Sequence, residues 1–356
     1  MKRLLSRDIL RGITVAGMIL VNNGGGPHTF AQLRHCAWNG MTACDLIFPF
    51  FLFMVGISTY LSLSKAVFRP SGTLVRKILK RTLLIAAVGW GIHWFAAICS
   101  GDFLPFDHLR IPGVLPRIAL CYGLVSLMAI TLPHKGFPWI AGGLLVVYAG
   151  LLDMGNGYRQ DTTNLIAVID RAILGETHLY HKSPVDPEGL LSTLAAVSHT
   201  LIGFCCGRII LTTSDKKDKV LRLFVTGFLL LAVGYLLTDA WPLNKRIWSP
   251  TFVLMSCGTG TLLLATLMFI IDVQGQRGRW QTFFHVFGVN PLFLYVVSEL
   301  AAIVLDSLQA KAPIYQALEA VTVNPYLASL AYAVLFMGVM GALGYPLYKK
   351  KIYIKL

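Results

Sequence analysis

The stretch from Val21 to Phe53, VNNGGGPHTFAQLRHCAWNGMTACDLIFPFFLF, gathers side chains able to do chemistry at the junction of two long apolar runs. His35 is the first of them. An imidazole titrates near neutrality, so it can take a proton from an attacking group or attack a thioester itself. Asn22 ends the first apolar run and can donate to a developing oxyanion or fix the imidazole. The Gly24-Gly25-Gly26 turn that follows lets backbone approach a ligand closely. Asp45 opens the second apolar run, four residues before Pro49, and can orient His35 or pair with a cation. Each has a plainer reading: a solvent-facing histidine, an asparagine closing a helix, an aspartate favoured by a helix N-terminus. What favours a site is their position, because polar groups at a membrane edge are costly unless satisfied.

The elements that must position these residues are membrane helices. The chain has 356 residues, 55% hydrophobic and 13% charged, with mean hydropathy +0.65. A soluble chain carries about 25% charged residues, so this is an all-α, polytopic membrane bundle in one transmembrane domain, 1–356. Apolar runs long enough to span lie at 7–24, 44–64, 74–98, 113–132, 137–154, 190–211, 220–238, 250–271, 283–305 and 325–347. The basic Met1–Arg11 segment leads into a run without a clean cleavage site and reads as a retained first helix.

The net charge of +14 sits in short loops, as membrane topology requires, and gives no reason to invoke nucleic acid. With the N-terminus inside, the outer segments hold Arg34, Arg110, Arg117, Arg159, Arg171, Lys182, Lys245, Arg246 and Lys311, and all the other lysines and arginines fall inside. Both termini are therefore expected to be cytoplasmic. The seven cysteines show no metal-ligand or CxxC spacing, and no metal is expected; Cys36 and Cys99 share the outer side and leave a pairing open.

This topology also places the long 155–189 loop outside, with Asp161, Asp170, Glu176, Asp186 and Glu188. Such a surface suits a polar or cationic ligand such as an amino sugar, although outer loops are in any case poor in lysine and arginine. Asp8 and Arg11, three residues apart, read as a structural pair on one helix face. Asn290, Tyr295 and Glu299 fall inside the expected ninth span, where ionisable residues are functional suspects, with Asn290 and Glu299 on opposite faces.

The blocks SRDILRG, VNNGGG and HCAWNGMTACDLIFPFFLFMVG, followed by RIPGVLPRIALCY, IDRAILGETHLY, VDPEGLLSTLAAVSHTLIGFCCGRII, PLNKRIWSPTFVL and DVQG…FHVFGVNPLFLYVVSE, resemble the catalytic domain of the heparan-α-glucosaminide N-acetyltransferase family in order and over most of the chain. The resemblance implies a membrane enzyme that takes acetyl-CoA as co-substrate from the cytoplasm and acetylates the amine of a glucosamine-type sugar on the far side. It places the active-site histidine at His35 and its partner at Asn22, with Asp45 completing the expected catalytic set. Arg11, Asn23, Asn290 and Tyr295 are expected to hold the coenzyme, and Trp38, Asn39, His178, Asp186 and Glu188 the sugar. The 155–189 loop is shorter than in lysosomal members, and the plain form resembles bacterial ones, implying an inner (cytoplasmic) membrane with lipid around it. Acylation of another envelope glycan and secondary transport of a small polar solute stay open, as does a homodimer. Transport fits less well, since the polar cluster lies at the outer edge rather than the midplane.

Overall fold

The computed structural model describes residues 4–354, and among these the chain is helical apart from loops and one isolated parallel bridge between Gly40 and Asn244. Lys2, Arg3 and Lys355, which belong to the inner charge set, lie outside the described residues. The helices are α1 (Leu5–Asn22), α2 (Ala43–Leu63), α3 (Gly72–Cys99), α4 (Val114–Thr131), α5 (Phe137–Met154), α6 (Leu165–Leu174), α7 (Thr193–Thr212), α8 (Lys216–Leu236), α9 (Pro250–Met268), α10 (Arg279–Val289), α11 (Pro291–Ser307), α12 (Lys311–Thr322) and α13 (Pro325–Lys349).

Eight of these are long and apolar enough to cross a membrane: α2 to α5, α7 to α9 and α13. Two of the ten expected spans differ. The run 283–305 is not one helix but α10 and α11, bent by 81° at Asn290. The cause is local: Asn290 precedes Pro291, which clashes with a helical predecessor, and it adopts φ −127° and ψ 61° instead. Asn290 and Glu299 therefore do not share a helix. The other is α1, which carries Arg7, Asp8 and Arg11 in its first turns and is less apolar than the rest, yet Ile9, Leu10 and Val15 are fully buried at the bundle centre.

The break also gathers the two described ends of the chain. Asn290 Nδ2 donates to Ile352 O at 2.9 Å, and Ile354 N donates to Asn290 Oδ1 at 2.8 Å. Arg11 Nε donates to Gly288 O at 2.9 Å, so the start of α1, the α10–α11 corner and the end of the chain share one end of the bundle. Asp8, buried, accepts from Arg7 and Arg11 at 3.2 Å each, the structural pair read from the sequence.

At the centre α2 lies against α7 with backbones in contact. A Cβ on Gly203 would collide with Phe53 O, and one on Gly56 with Thr200 O. Close approach of this kind is how membrane helices gain dispersion energy where no hydrophobic force acts between them. Gly142, in α5, has open space instead. Gly203→Ala is expected to destabilise the bundle by about 1–3 kcal/mol, the usual cost of overpacking, and Gly142→Ala to stay within about 0.5 kcal/mol. Denaturant unfolding of the detergent-solubilised protein checks both.

Candidate active site

Thr42 and Asp45 open α2 and fix the loop before it. Asp45 is 1% exposed. Its Oδ2 accepts from Cys36 N (3.1 Å), Thr42 N (3.1 Å) and Thr42 Oγ1 (3.0 Å). Its Oδ1 lies 2.8 Å from His35 Nδ1 and 3.4 Å from Lys245 Nζ. Lys245 Nζ is also 3.0 Å from His35 Nδ1, and the Cys44 thiol is 3.2 Å from the same nitrogen. A carboxylate has no proton to give, so Nδ1 carries the hydrogen and donates to Asp45. In the neutral ring that leaves Nε2 with its lone pair, the form a general base needs.

Two cavities meet at this histidine. One, of about 220 Å³, lies between the glycine turn and α13 and is lined by Gly24, Thr29, Arg34, Tyr326 and Ser329. The other, of about 80 Å³, lies between α1, α2 and α11 and is lined by Asn22, Glu188, Lys245 and Tyr295. Val21, His35 and Cys44 line both and form the wall between them. Asn22 Nδ2 donates to Glu299 Oε1 at 3.0 Å, which orients the amide; a second N–H remains on the same nitrogen. Of the glycine turn, only part behaves as the sequence suggests. Gly24 and Gly26 line the cavity, but Gly25 and Gly26 also press on the rings of Tyr332 and Tyr315, where no Cβ fits.

Towards the other end of the bundle lie cavities of about 660 Å³ and about 130 Å³, which share Arg11, Arg81, Pro291 and Leu292. The Arg81 guanidinium stands 4.8 Å from the centre of the Tyr122 ring. The smaller of the pair reaches Phe51, Leu115 and Leu292. One helical turn or one residue further along the same three helices, Phe48, Val114 and Tyr295 line the cavity at Asn22. The cavities are thus stacked along α2, α4 and α11 from one end of the bundle to the other, and the α10–α11 bend opens the widest of them.

Several expected site residues have structural partners. Asn23 is buried and donates to Ile19 O at 2.8 Å, closing α1 at the end away from Arg11. Trp38 Nε1 donates to Tyr158 O at 2.8 Å, Asn39 Oδ1 accepts from Asn244 at 3.1 Å, and His178 Nδ1 lies 2.8 Å from Leu109 O. Asp186 is buried and holds Arg110 through both oxygens, at 2.7 and 3.2 Å, while Glu188 takes the same guanidinium at 2.7 Å. Those carboxylates raise the Arg110 guanidinium above its ordinary range against the cost of burial. Of the residues expected to touch sugar, Glu188 lines a cavity with His35. Cys36 and Cys99 are both free thiols. Lys245 and Arg81, with Cys44, Thr29, Arg34 and Tyr326 around the cavities, are site residues that the sequence alone does not single out. The available signal for Lys245 was its place in PLNKRIW, a cation on the cation-poor side.

The family model described as "Heparan-alpha-glucosaminide N-acetyltransferase, catalytic" matches residues 3–220. Two curated proteins named heparan-alpha-glucosaminide N-acetyltransferase, from human and mouse, are each 29% identical to this chain over 358 aligned positions, covering 84% of it. The alignments take in 53% of each relative, so the chain spans about half the length of the curated relatives it matches.

The 155–189 segment carries its own pH dependence. Asp170 Oδ1 accepts from Leu190 N at 2.8 Å and Leu191 N at 3.3 Å, while burial pushes its carboxyl up to about 6 against those bonds, with the Asp186 charge adding to the rise. An unfolded aspartate titrates near 4, so between about pH 4 and 6 the folded form keeps a proton that the unfolded form has lost, and stability falls as pH rises through that window. Asp170→Asn keeps the accepting oxygen and removes the titration. It is expected to flatten that fall, by about 2 kcal/mol at pH 7 relative to pH 4. Unfolding midpoints measured across this range check it.

Proposed function

The chain belongs to the heparan-alpha-glucosaminide N-acetyltransferase catalytic family, and from that premise we propose that it transfers the acetyl group of acetyl-CoA to the amine of a glucosamine-type sugar across a membrane. The observation that carries this reading is the stack of cavities that begins at Arg11 and Arg81 and ends at the wall formed by His35 and Cys44. In the proposed orientation the arginine end faces the cytoplasm, as the lysine and arginine distribution favours, and the His35 end faces the periplasm of a bacterial inner membrane.

Acetyl-CoA is long and highly charged at its nucleotide end, and lipid excludes it. Arg11 and Arg81 supply the cations that phosphates require, at the mouth of the widest cavity. The apolar walls at Phe51, Leu115 and Leu292 suit the uncharged pantetheine arm. Asn290 lies behind this cavity, tying down the segment that carries Tyr353 and Ile354, so it shapes the site rather than touching the coenzyme. Tyr295 lines the chamber at Asn22.

The chemistry falls to three side chains. His35 Nε2 takes the proton of the amine as its nitrogen attacks the thioester carbonyl. Asn22, its amide held by Glu299, donates its second N–H to the carbonyl oxygen as charge gathers there. The C–S bond then breaks, the amide forms, and His35 returns its proton to the leaving thiolate. Asp45 stabilises the imidazolium in between. A direct transfer of this kind needs no acyl-enzyme, because positioning and a base already account for it. Glu188 and the outer cavity, with Arg34, Thr29 and Tyr326, are the proposed contacts for the sugar.

His35→Ala is expected to lower acetyl transfer from labelled acetyl-CoA to glucosamine by at least about 100-fold, the range for a lost general base, with CoA binding retained. Full turnover in that variant would remove His35 from the mechanism. Arg81→Gln is expected to raise KM for acetyl-CoA by about tenfold with kcat nearly unchanged, since one charge-assisted hydrogen bond to a phosphate is lost. Glucosamine, its oligosaccharides and muropeptides offered in parallel identify the acceptor, and solute uptake into vesicles without acyl transfer would instead favour a transporter.

A further inference from the structure

The transfer reading makes His35 the base but leaves a difficulty. A buried carboxylate 2.8 Å from an imidazole favours the charged imidazolium, which has no lone pair left to take a proton. The structure places a second charge at the same contact. Lys245 Nζ lies 3.4 Å from Asp45 Oδ1 and 3.0 Å from His35 Nδ1, and its side chain is 15% exposed. Since Nδ1 donates to Asp45, it cannot also accept from the ammonium. The Lys245 ammonium therefore pairs with the carboxylate as a charge, and that charge is set against any proton added to the ring.

The backbone around Lys245 is built to keep it there. Gly40 N donates to Leu243 O at 2.7 Å, and Asn244 Nδ2 donates to Asn39 Oδ1 at 3.1 Å, so the lysine loop is docked on the histidine loop through the two residues before Lys245. Asn244 N donates to Ser249 Oγ and Ser249 N to Asn244 O, each at 3.0 Å. Trp248 is fully buried with φ +51°, a conformation costly for a bulky side chain and held here by Phe48 and His199 around its ring.

We propose that Lys245 is a positioning residue for this transfer: it neutralises Asp45 so that His35 rests as a neutral imidazole with its Nδ1 proton on Asp45 and Nε2 free, and it speeds loss of the proton once the ring is charged. The proposal rests on the transferase reading for its catalytic meaning but on the Asp45–His35–Lys245 contact for its electrostatics. The other charged or titratable groups around the ring are Cys44 beside Asp45 on α2, Arg34 on its own loop, Glu188 from the loop before α7, Tyr295 from α11 and Tyr326 from α13.

The test uses Lys245→Met, Lys245→Gln and Lys245→Arg in the full chain, with two readouts. The first is the pH dependence of His35 modification by diethyl pyrocarbonate, followed by peptide mass spectrometry; the ring is 50% exposed and only neutral imidazole reacts. The second is the acid limb of kcat/KM for acetyl transfer. Removing a unit charge 3–4 Å away moves a titration by about one pH unit even in water-like screening. In Lys245→Met and Lys245→Gln both readouts are expected to move up by about that much, with rate recovered at high pH, while Lys245→Arg stays with the wild type. Unmoved labelling midpoints in folded Met and Gln variants, or a rate lowered equally at every pH, would overturn the proposal and leave Lys245 a structural residue. If the labelling midpoint moves but the wild type transfers no acetyl group to any amine, the transferase reading fails and the electrostatic role stands.

Discussion

The Asp45 carboxylate is the point on which the His35 end of the site depends. A charge at the edge of a membrane helix is tolerated only if donors surround it, and here they come from Cys36, Thr42, His35 and Lys245. Satisfying Asp45 folds the 35–42 loop back over the start of α2, and the same donors set the tautomer of His35. A cation from a loop 200 residues downstream also comes to lie beside Asp45, so the ion contact links the start of α2 to the α8–α9 connection. One buried charge thus specifies a loop conformation, a protonation state and a tertiary contact.

The Arg11 end of the site depends on a different local constraint. Pro291 forces Asn290 out of helical conformation, and the 81° corner that results leaves a space no continuous helix would leave. The freed polar groups are not wasted. Gly288 O accepts from Arg11, and the Asn290 side chain binds the backbone at Ile352 and Ile354. Irregular backbone at membrane depth is stable only where it is enclosed by protein or lines a cavity, and this corner does both.

Much of this could be read from the residues. Apolar runs gave the helices to within a few residues, and the spacing of Asp8 and Arg11 gave their pairing. His35 and Asp45, ten residues apart across a glycine-bearing loop, were recognisable as neighbours. The α10–α11 break was visible only as an Asn-Pro dipeptide inside an apolar run, a signal that length and hydropathy overrode. Partners separated by hundreds of residues were not legible. Nothing in PLNKRIW says that its lysine meets a histidine 210 positions earlier, and nothing near Asn22 names Glu299. Asp186 was read as a sugar contact because an acid on an outer loop looks free; Arg110, 76 residues away, occupies it.

The exceptions to the charge rule carry the most information of all. Cations on the side expected to be cation-poor work against the bias that sets topology, so a reason for their presence is expected. Arg110 lies against Asp186 and Glu188, Arg171 within 3.8 Å of Glu176, Lys311 within 3.8 Å of Asp306, and Lys245 against Asp45. The Arg171 and Lys311 pairs each join residues close in sequence at a helix end, and Arg110 ties the loop before α4 to the loop before α7. Lys245 differs, because its carboxylate already has an imidazole and three other donors. A cation added to an anion that is otherwise satisfied contributes little to holding a loop. Its larger effect is on the neighbour whose charge can change, and that neighbour is His35.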